Sequence, residues 1–287
     1  MTNEEIASLK KLCLLSPQGL HRQLVFALRD YGYGVNDLII TRQYIMAAGD
    51  LPVCLIAHLD TVFDQEKHKE KEIYVDTEHQ VMWSPQGLGT DDRAGVFAII
   101  SIIQSGLKPH IIFTTDEESG GLGASALVKD FLDCPFKNAN FLIELDRAHE
   151  KDCVFYSCEN KDFEDYIIDF DFEYAIGTFT DISIISPRWG IAAVNLSVGY
   201  YQEHSSGEHL VIPYLLETIE KVKKILQNQK EHNIMYEYIE GRVKKPNAKM
   251  SECLCCQEKV APGCGFDITF NNYIYTVCKN CDSLLNF

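Results

Sequence analysis

Three short runs decide the fold class of this chain: VCLIAH (residues 53–58), HIIFTTDEE (110–118) and NFLIELD (140–146). Each carries a short apolar run bounded by polar residues, and each closes on imidazole or carboxylate side chains. Between them the apolar spacing switches to the helical period, predicting helices from about Asp92 to Gln104 and near Ala124 to Phe131. A further strand is expected at Ile191 to Val198. A long amphipathic helix follows within Ile212 to Tyr238, where Leu215, Ile219, Val222, Ile225 and Leu226 share a face. Alternation of this kind predicts an α/β fold, with a central mixed, mostly parallel sheet and helices on both faces. The segments DCVFYSC (152–158) and DYIIDFDFEY (165–174) read as further strands of that sheet. Ligands of such sheets gather at the carboxyl ends of the strands. His58 and Asp60 end the first strand, Glu117 and Glu118 the second, and Asp146 the third.

A length of 287 residues allows one large domain with a small appendage. No low-complexity tract or internal repeat is present, so disordered and fibrous classes are excluded. No stretch approaches the roughly 18 apolar residues of a membrane span, and the opening MTNEEIASLKKLCLLS carries acids where a signal peptide carries bases. A cytoplasmic protein without membrane contact is the expectation. With 42 Asp plus Glu against 26 Lys plus Arg, the formal charge is −16, which disfavours nucleic acid and favours a site that gathers cations.

Of eleven cysteines, Cys13, Cys54, Cys134, Cys153 and Cys158 stand singly among apolar residues and read as small buried hydrophobes. The other six fall within the last 35 residues. There Cys253-x-x-Cys256 and Cys278-x-x-Cys281 have the spacing that aims two pairs of thiolates at one tetrahedral ion, predicting a structural zinc in a ribbon-like segment, residues 253–287. Cys255 and Cys264 are spare thiols, either of which could replace one of the four. The hydrophilic run GRVKKPNAKMSE, residues 241–252, reads as a linker from a main domain of residues 1–240.

Two more regions carry donors. Asp91 and Asp92 follow Gly87-Leu-Gly-Thr90 and open a helix, so one can cap it while the other faces the strand ends. His204 sits in the polar loop between the strand at 191–198 and the last helix. Together these histidines and acids form a borderline-hard nitrogen and oxygen donor set suited to zinc, and also to manganese or cobalt.

In order along the chain, His58-Leu-Asp-Thr-Val62, Gly89-Thr-Asp-Asp-Arg-Ala-Gly95, Thr115-Asp-Glu-Glu-Ser-Gly120, Glu144-Leu-Asp146, Gly177-Thr-Phe-Thr-Asp181 and His204-Ser-Ser-Gly-Glu208 resemble the motifs of co-catalytic dizinc exopeptidases and deacylases. The nearest likeness is to the peptidase T, aminoacylase and carboxypeptidase G family. The resemblance implies two divalent ions bridged by Asp91, one completed by His58 and Asp146, the other by Glu118 and His204. It implies Glu117 as the general base and Asp60 as the acid that orients His58. Two such ions about 3.5–4 Å apart can acidify a shared water and polarise a carbonyl. The implied substrates are small peptides or N-acylated amino acids.

The chain departs from the family in three ways. Asp146 and Thr180 are only 34 positions apart, too close for the inserted lid domain of many relatives. Arg93 replaces the usual lysine, and the Cys-rich segment is an addition through which the chain could recruit a protein or self-associate. Arg147 and Arg188 are candidate carboxylate contacts, though arginines among many acids more often balance charge. The competing reading is a non-catalytic protein- or nucleic-acid-binding module on the same scaffold. A full set of five ligands with an intact Glu117 argues for catalysis.

Overall fold

The computed structural model describes residues 1–63 and 71–241, together with the strands at 251–252, 259–260, 265–270 and 273–278. Two helices come first, α1 (Asn3–Leu14) and α2 (Pro17–Asp30), then two strands, β1 (Leu38–Ile40) and β2 (Tyr44–Ala47). Next are β3 (Leu51–His58), β4 (Tyr74–Asp76), β5 (Val81–Trp83), α3 (Thr90–Gln104), β6 (Pro109–Thr114), α4 (Leu122–Asp130) and β7 (Phe141–Arg147). The chain continues through β8 (Asp152–Val154), α5 (Lys161–Ile168), β9 (Glu173–Tyr174), α6 (Asp181–Trp189) and β10 (Ala193–Ser197). It then forms β11 (Tyr200–Tyr201), β12 (His209–Val211) and α7 (Ile212–His232).

Eight strands make the main sheet in the order β1-β2-β6-β3-β7-β10-β8-β9. The four central neighbours β6, β3, β7 and β10 run parallel, while β2 and β8 join their flanks antiparallel. This is the expected α/β class, a mostly parallel sheet covered on both faces. β3 shows why: all eight of its residues are buried, as a strand covered on both sides requires. Alternate side chains feed different cores. Val53, Leu55 and Ala57 join residues of α1, α2, α3, α5 and α7, while Cys54 and Ile56 join Ala124 and Leu127 of α4 and Ile182 and Ile185 of α6. A second sheet, β11-β12-β5-β4, carries the loop that contains His204.

One expected strand is corrected. Residues 165–174 do not run as a strand; α5 covers Lys161–Ile168, and only Glu173–Tyr174 are extended. Asn160 starts the helix by accepting the Phe163 N–H at 3.2 Å, and Phe163 and Ile167, four apart, are fully buried. The alternating Asp and Phe of 169–172 imitates a strand, but the i,i+4 pair just before it sets the period. DCVFYSC is extended only over Asp152–Val154, since Tyr156 takes a left-handed φ of 51°. The last helix stops at His232, where Asn233 supplies a left-handed cap.

The chain divides into two compact units, Met1–Ile239 and Glu240–Phe287. In the second, β13 (Ser251–Glu252) pairs with β14 (Lys259–Val260), and β15 (Gly265–Phe270) pairs with β16 (Tyr273–Cys278), all antiparallel. Cys278 ends β16 opposite Gly265. Cys253, Cys256 and Cys281 of the expected ribbon, and most of the expected linker, lie outside the described residues. The five single cysteines are unbonded, four of them buried. No helix among the described residues is long and apolar enough to cross a membrane.

Candidate metal centre

The parallel strands β3, β6 and β7 end side by side, and the three polar groups expected there meet at one rim. His58 is the last residue of β3 and is 1% exposed. Its Nε2 lies 3.0 Å from Asp91 Oδ1 and 3.4 Å from Asp146 Oδ1, and its Nδ1 lies 3.3 Å from Asp60 Oδ1. His204 reaches in from the loop between β11 and β12, its backbone left-handed at φ 60°. Its Nε2 stands 3.0 Å from Asp91 Oδ2 and 3.0 Å from Glu118 Oε2. One carboxylate therefore faces two imidazoles through its two oxygens. His58, Asp91 and Glu118 offer donor atoms all within 4.8 Å of one another.

Asp91 and Asp92 are neighbours with opposite tasks, joined by a cis peptide bond. Both have non-helical backbone angles at the head of α3. Asp92 Oδ1 accepts the Gly95 N–H at 2.8 Å, the usual helix-capping bond, and its Oδ2 accepts the His58 N–H at 3.2 Å. Asp92 also groups with His58 and Asp146 closely enough to hold an ion, but both of its oxygens already accept backbone donors. It is the cap, and Asp91 is the residue turned to the rim.

The surrounding residues hold these groups in place. Asp60 accepts the Glu117 and Glu118 N–H groups at 3.1 Å each, one per oxygen, fastening the loop after β6 to the end of β3. Asp146 accepts from Thr180 Oγ1 at 3.1 Å and Tyr200 OH at 3.2 Å, and its N–H donates to Asn195 Oδ1 at 2.9 Å. Arg93, fully buried, donates to the Leu59 carbonyl and, at 3.2 Å, to the Leu15 carbonyl. Glu208 Oε1 accepts from Thr90 N, Thr90 Oγ1 at 2.8 Å and Asp91 N at 3.4 Å, clamping the His204 loop to the head of α3. Glu208 stands in one of the quoted motifs, as do Thr180, Glu144 and Asp181, yet sequence reasoning assigned none of them. The signal for Glu144 and Glu208 was their place within four positions of Asp146 and His204. Glu144 and Asp181 are fully buried, each with one oxygen lacking a hydrogen bond. Arg147 pairs with Asp152 at 3.1 Å, the charge-balancing arrangement.

The electrostatics describe a site short of positive charge. Burial, reinforced by the charge on Asp146, pushes Glu117 up to about 9. Burial likewise raises Asp146 to about 6, Glu208 to about 7 and Asp181 to about 7. Hydrogen bonds to Asp91 and Glu118 pull His204 up to about 11. Burial works against ionisation at Asp91 and Asp60, yet their imidazole partners hold both below the usual carboxylate range. The histidines are thus drawn towards their charged forms by carboxylates that outnumber the cationic groups beside them, of which the buried Arg93 guanidinium is one. The donor set fits divalent ions on two counts. Donors at about 2.1 Å from a common ion stand roughly 3.0–3.5 Å apart, the spacing seen around both imidazoles. Glu118 Oε1 is moreover a buried acceptor without a partner.

No protein-family model matches the chain, and no curated protein matches it in sequence. Solved structures do match in fold. The chain is similar to aminopeptidase PepT from Bacillus cereus at 13% identity and a TM-score of 0.62, covering 78% of this chain and 97% of that one. A tripeptidase from Staphylococcus aureus gives 15%, 0.62, 78% and 97%. A TET aminopeptidase from a marine-sediment Thaumarchaeota archaeon gives 12%, 0.61, 81% and 99%. Over the 78–81% of the chain that these comparisons cover, the fold is that of the matched structures.

Proposed function

We propose that the chain is a metal-dependent hydrolase of peptide or amide bonds in small substrates, short peptides or N-acylated amino acids. The observation that carries this reading is the divided carboxylate of Asp91, 3.0 Å from the Nε2 atoms of both His58 and His204. In this reading Asp91 would be the ligand common to two divalent cations, zinc in the first place and manganese or cobalt as alternatives. His58 and Asp146 complete one site, and Glu118 and His204 the other. Bound there, the cations supply Lewis acidity toward the scissile carbonyl and lower the pKa of a nearby water.

The rest falls to the chain's own groups. Glu117 stands beside a ligand in sequence but makes no ion pair with either imidazole. It takes the proton from the attacking water as the new C–O bond forms, and delivers it to the leaving nitrogen as the C–N bond breaks. Burial raises Glu117 and so favours its protonated form; added positive charge nearby lowers a carboxylate towards the range of a base. Asp60 keeps the His58 ring oriented, as metal-bound histidines commonly need. The same reading gives residues 253–287 a structural zinc on Cys253, Cys256, Cys278 and Cys281. Pyrococcus horikoshii TET1 peptidase, 14% identical with a TM-score of 0.58, can assemble into a tetrahedron or a large octahedral shell, which supports self-association as part of the proposal.

The test is turnover of a dipeptide and acyl-amino-acid panel by protein loaded with zinc, manganese or cobalt. Activity should vanish with chelator. Glu117→Gln should lose at least about 10²–10⁴-fold in kcat while its metal content is kept. Undiminished turnover by that variant removes Glu117 from the mechanism.

A further inference from the structure

Next to the candidate centre lies a cavity of about 490 Å³, bordered by Asp60. Its walls come from the first turns of α2, the β1–β2 connection and the start of the loop after β6, including Gln18, Arg22, Arg42, Thr115 and Asp116. His21 Nε2 stands 2.8 Å from the Thr41 carbonyl and ties two of these walls together. The last wall leads directly into Glu117.

The charged groups in this cavity are unequal in their engagement. Both oxygens of Asp60 already accept the Glu117 and Glu118 N–H groups, with His58 alongside. Asp116 Oδ2 accepts the Thr115 hydroxyl at 2.9 Å. The guanidiniums are different. Arg22 makes only a 3.4 Å contact from Nε to the Gln18 carbonyl within its own helix. Neither Arg22 nor Arg42 pairs with a carboxylate among the described residues. Both arginines are exposed to solvent, so among the described residues their guanidiniums are left available to a ligand entering the cavity. The N-terminal end of α2, which opens at Pro17 on the same wall, adds partial positive charge.

We propose that this cavity is a carboxylate subsite, in which Arg22 and Arg42 hold the free carboxylate of a short substrate while its scissile bond lies at the centre. The inference rests on the hydrolase reading and sharpens its substrate class to free acids rather than amides or esters. Guanidinium forks match a carboxylate through paired hydrogen bonds. A two- or three-residue substrate spans about 7–10 Å, a length suited to a cavity and a centre that share one bordering side chain, Asp60.

The experiment compares Leu-Gly-Gly with its C-terminal amide on metal-loaded wild type, Arg22→Gln, Arg42→Gln and the double variant. The acid-to-amide ratio of kcat/KM should exceed roughly 10-fold in wild type, arise through KM, and fall to near one in the double variant. A second readout uses chelator-treated protein and saturation-transfer NMR with N-acetyl-leucine and N-acetyl-leucinamide. Signal should favour the acid in wild type and lose that preference in the double variant. Equal handling of acid and amide by wild type overturns the proposal, as does a preference that survives both substitutions. Acid-selective NMR signal without chelator-sensitive turnover of either peptide overturns the hydrolase reading instead and leaves the carboxylate site standing.

Discussion

Asp91 and Asp92 show how far one residue's role depends on its backbone angles. Both are acids, adjacent and buried, at the head of the same helix. One caps α3 through the Gly95 N–H, and the other meets both imidazoles. From sequence the pair could be recognised as one cap and one candidate ligand; the resemblance pointed to Asp91, but local pattern could not choose. Glu208 went unassigned for a related reason. Its partners Thr90 and Asp91 lie more than a hundred positions away, so no local pattern reports the contact. Glu208→Ala leaves the Thr90 and Asp91 N–H groups buried without an acceptor. Urea unfolding should then show a loss of about 1–3 kcal/mol, and metal analysis should show weaker retention on the His204 side. Unaltered stability and metal content would sink the clamp.

At the scale of elements, β6 joins the centre to the opposite end of the sheet. Its tail leads into Glu117 and Glu118, and its head carries His110, 6% exposed. His110 Nδ1 accepts the Gly49 N–H at 3.1 Å, and the ring stacks on Phe136 with centroids 4.3 Å apart. Burial pushes His110 down to about 4 from its ordinary 6.5. The unfolded chain therefore binds the proton more readily. The neutral ring's contribution is complete above about 6.5 and is lost as pH falls towards 4. Between pH 7 and pH 5 this single group should cost wild type about 2 kcal/mol. His110→Gln retains an acceptor for Gly49 but does not titrate, so its urea midpoint should fall less over that interval. Equal falls in both proteins would show that His110 contributes nothing to the acid response. The misread segment at 165–174 belongs to this scale too. Period two and period 3.6 compete over so few residues, and packing of Phe163 and Ile167 into the core decides between them.

On the scale of the molecule, all of the candidate centre lies within the unit Met1–Ile239. A chain ending near Arg242 should therefore keep chelator-sensitive turnover. Its metal content by elemental analysis should fall from three ions per chain to two; loss of all metal on truncation would contradict the separation of the two sites. The sequence alone determined the α/β class, because strand and helix periods are local and survive without partners. It also picked out the polar residues at the strand ends, because parallel strands of one sheet must finish at the same rim. Only the tertiary structure decided which of Asp91 and Asp92 faces that rim, that Glu208 and Tyr200 hold Asp91 and Asp146 in place, and that Arg22 and Arg42 line a cavity bordered by Asp60 while Arg147 is paired off. These are contacts between segments distant in the chain, set by backbone turns and packing that no local pattern encodes.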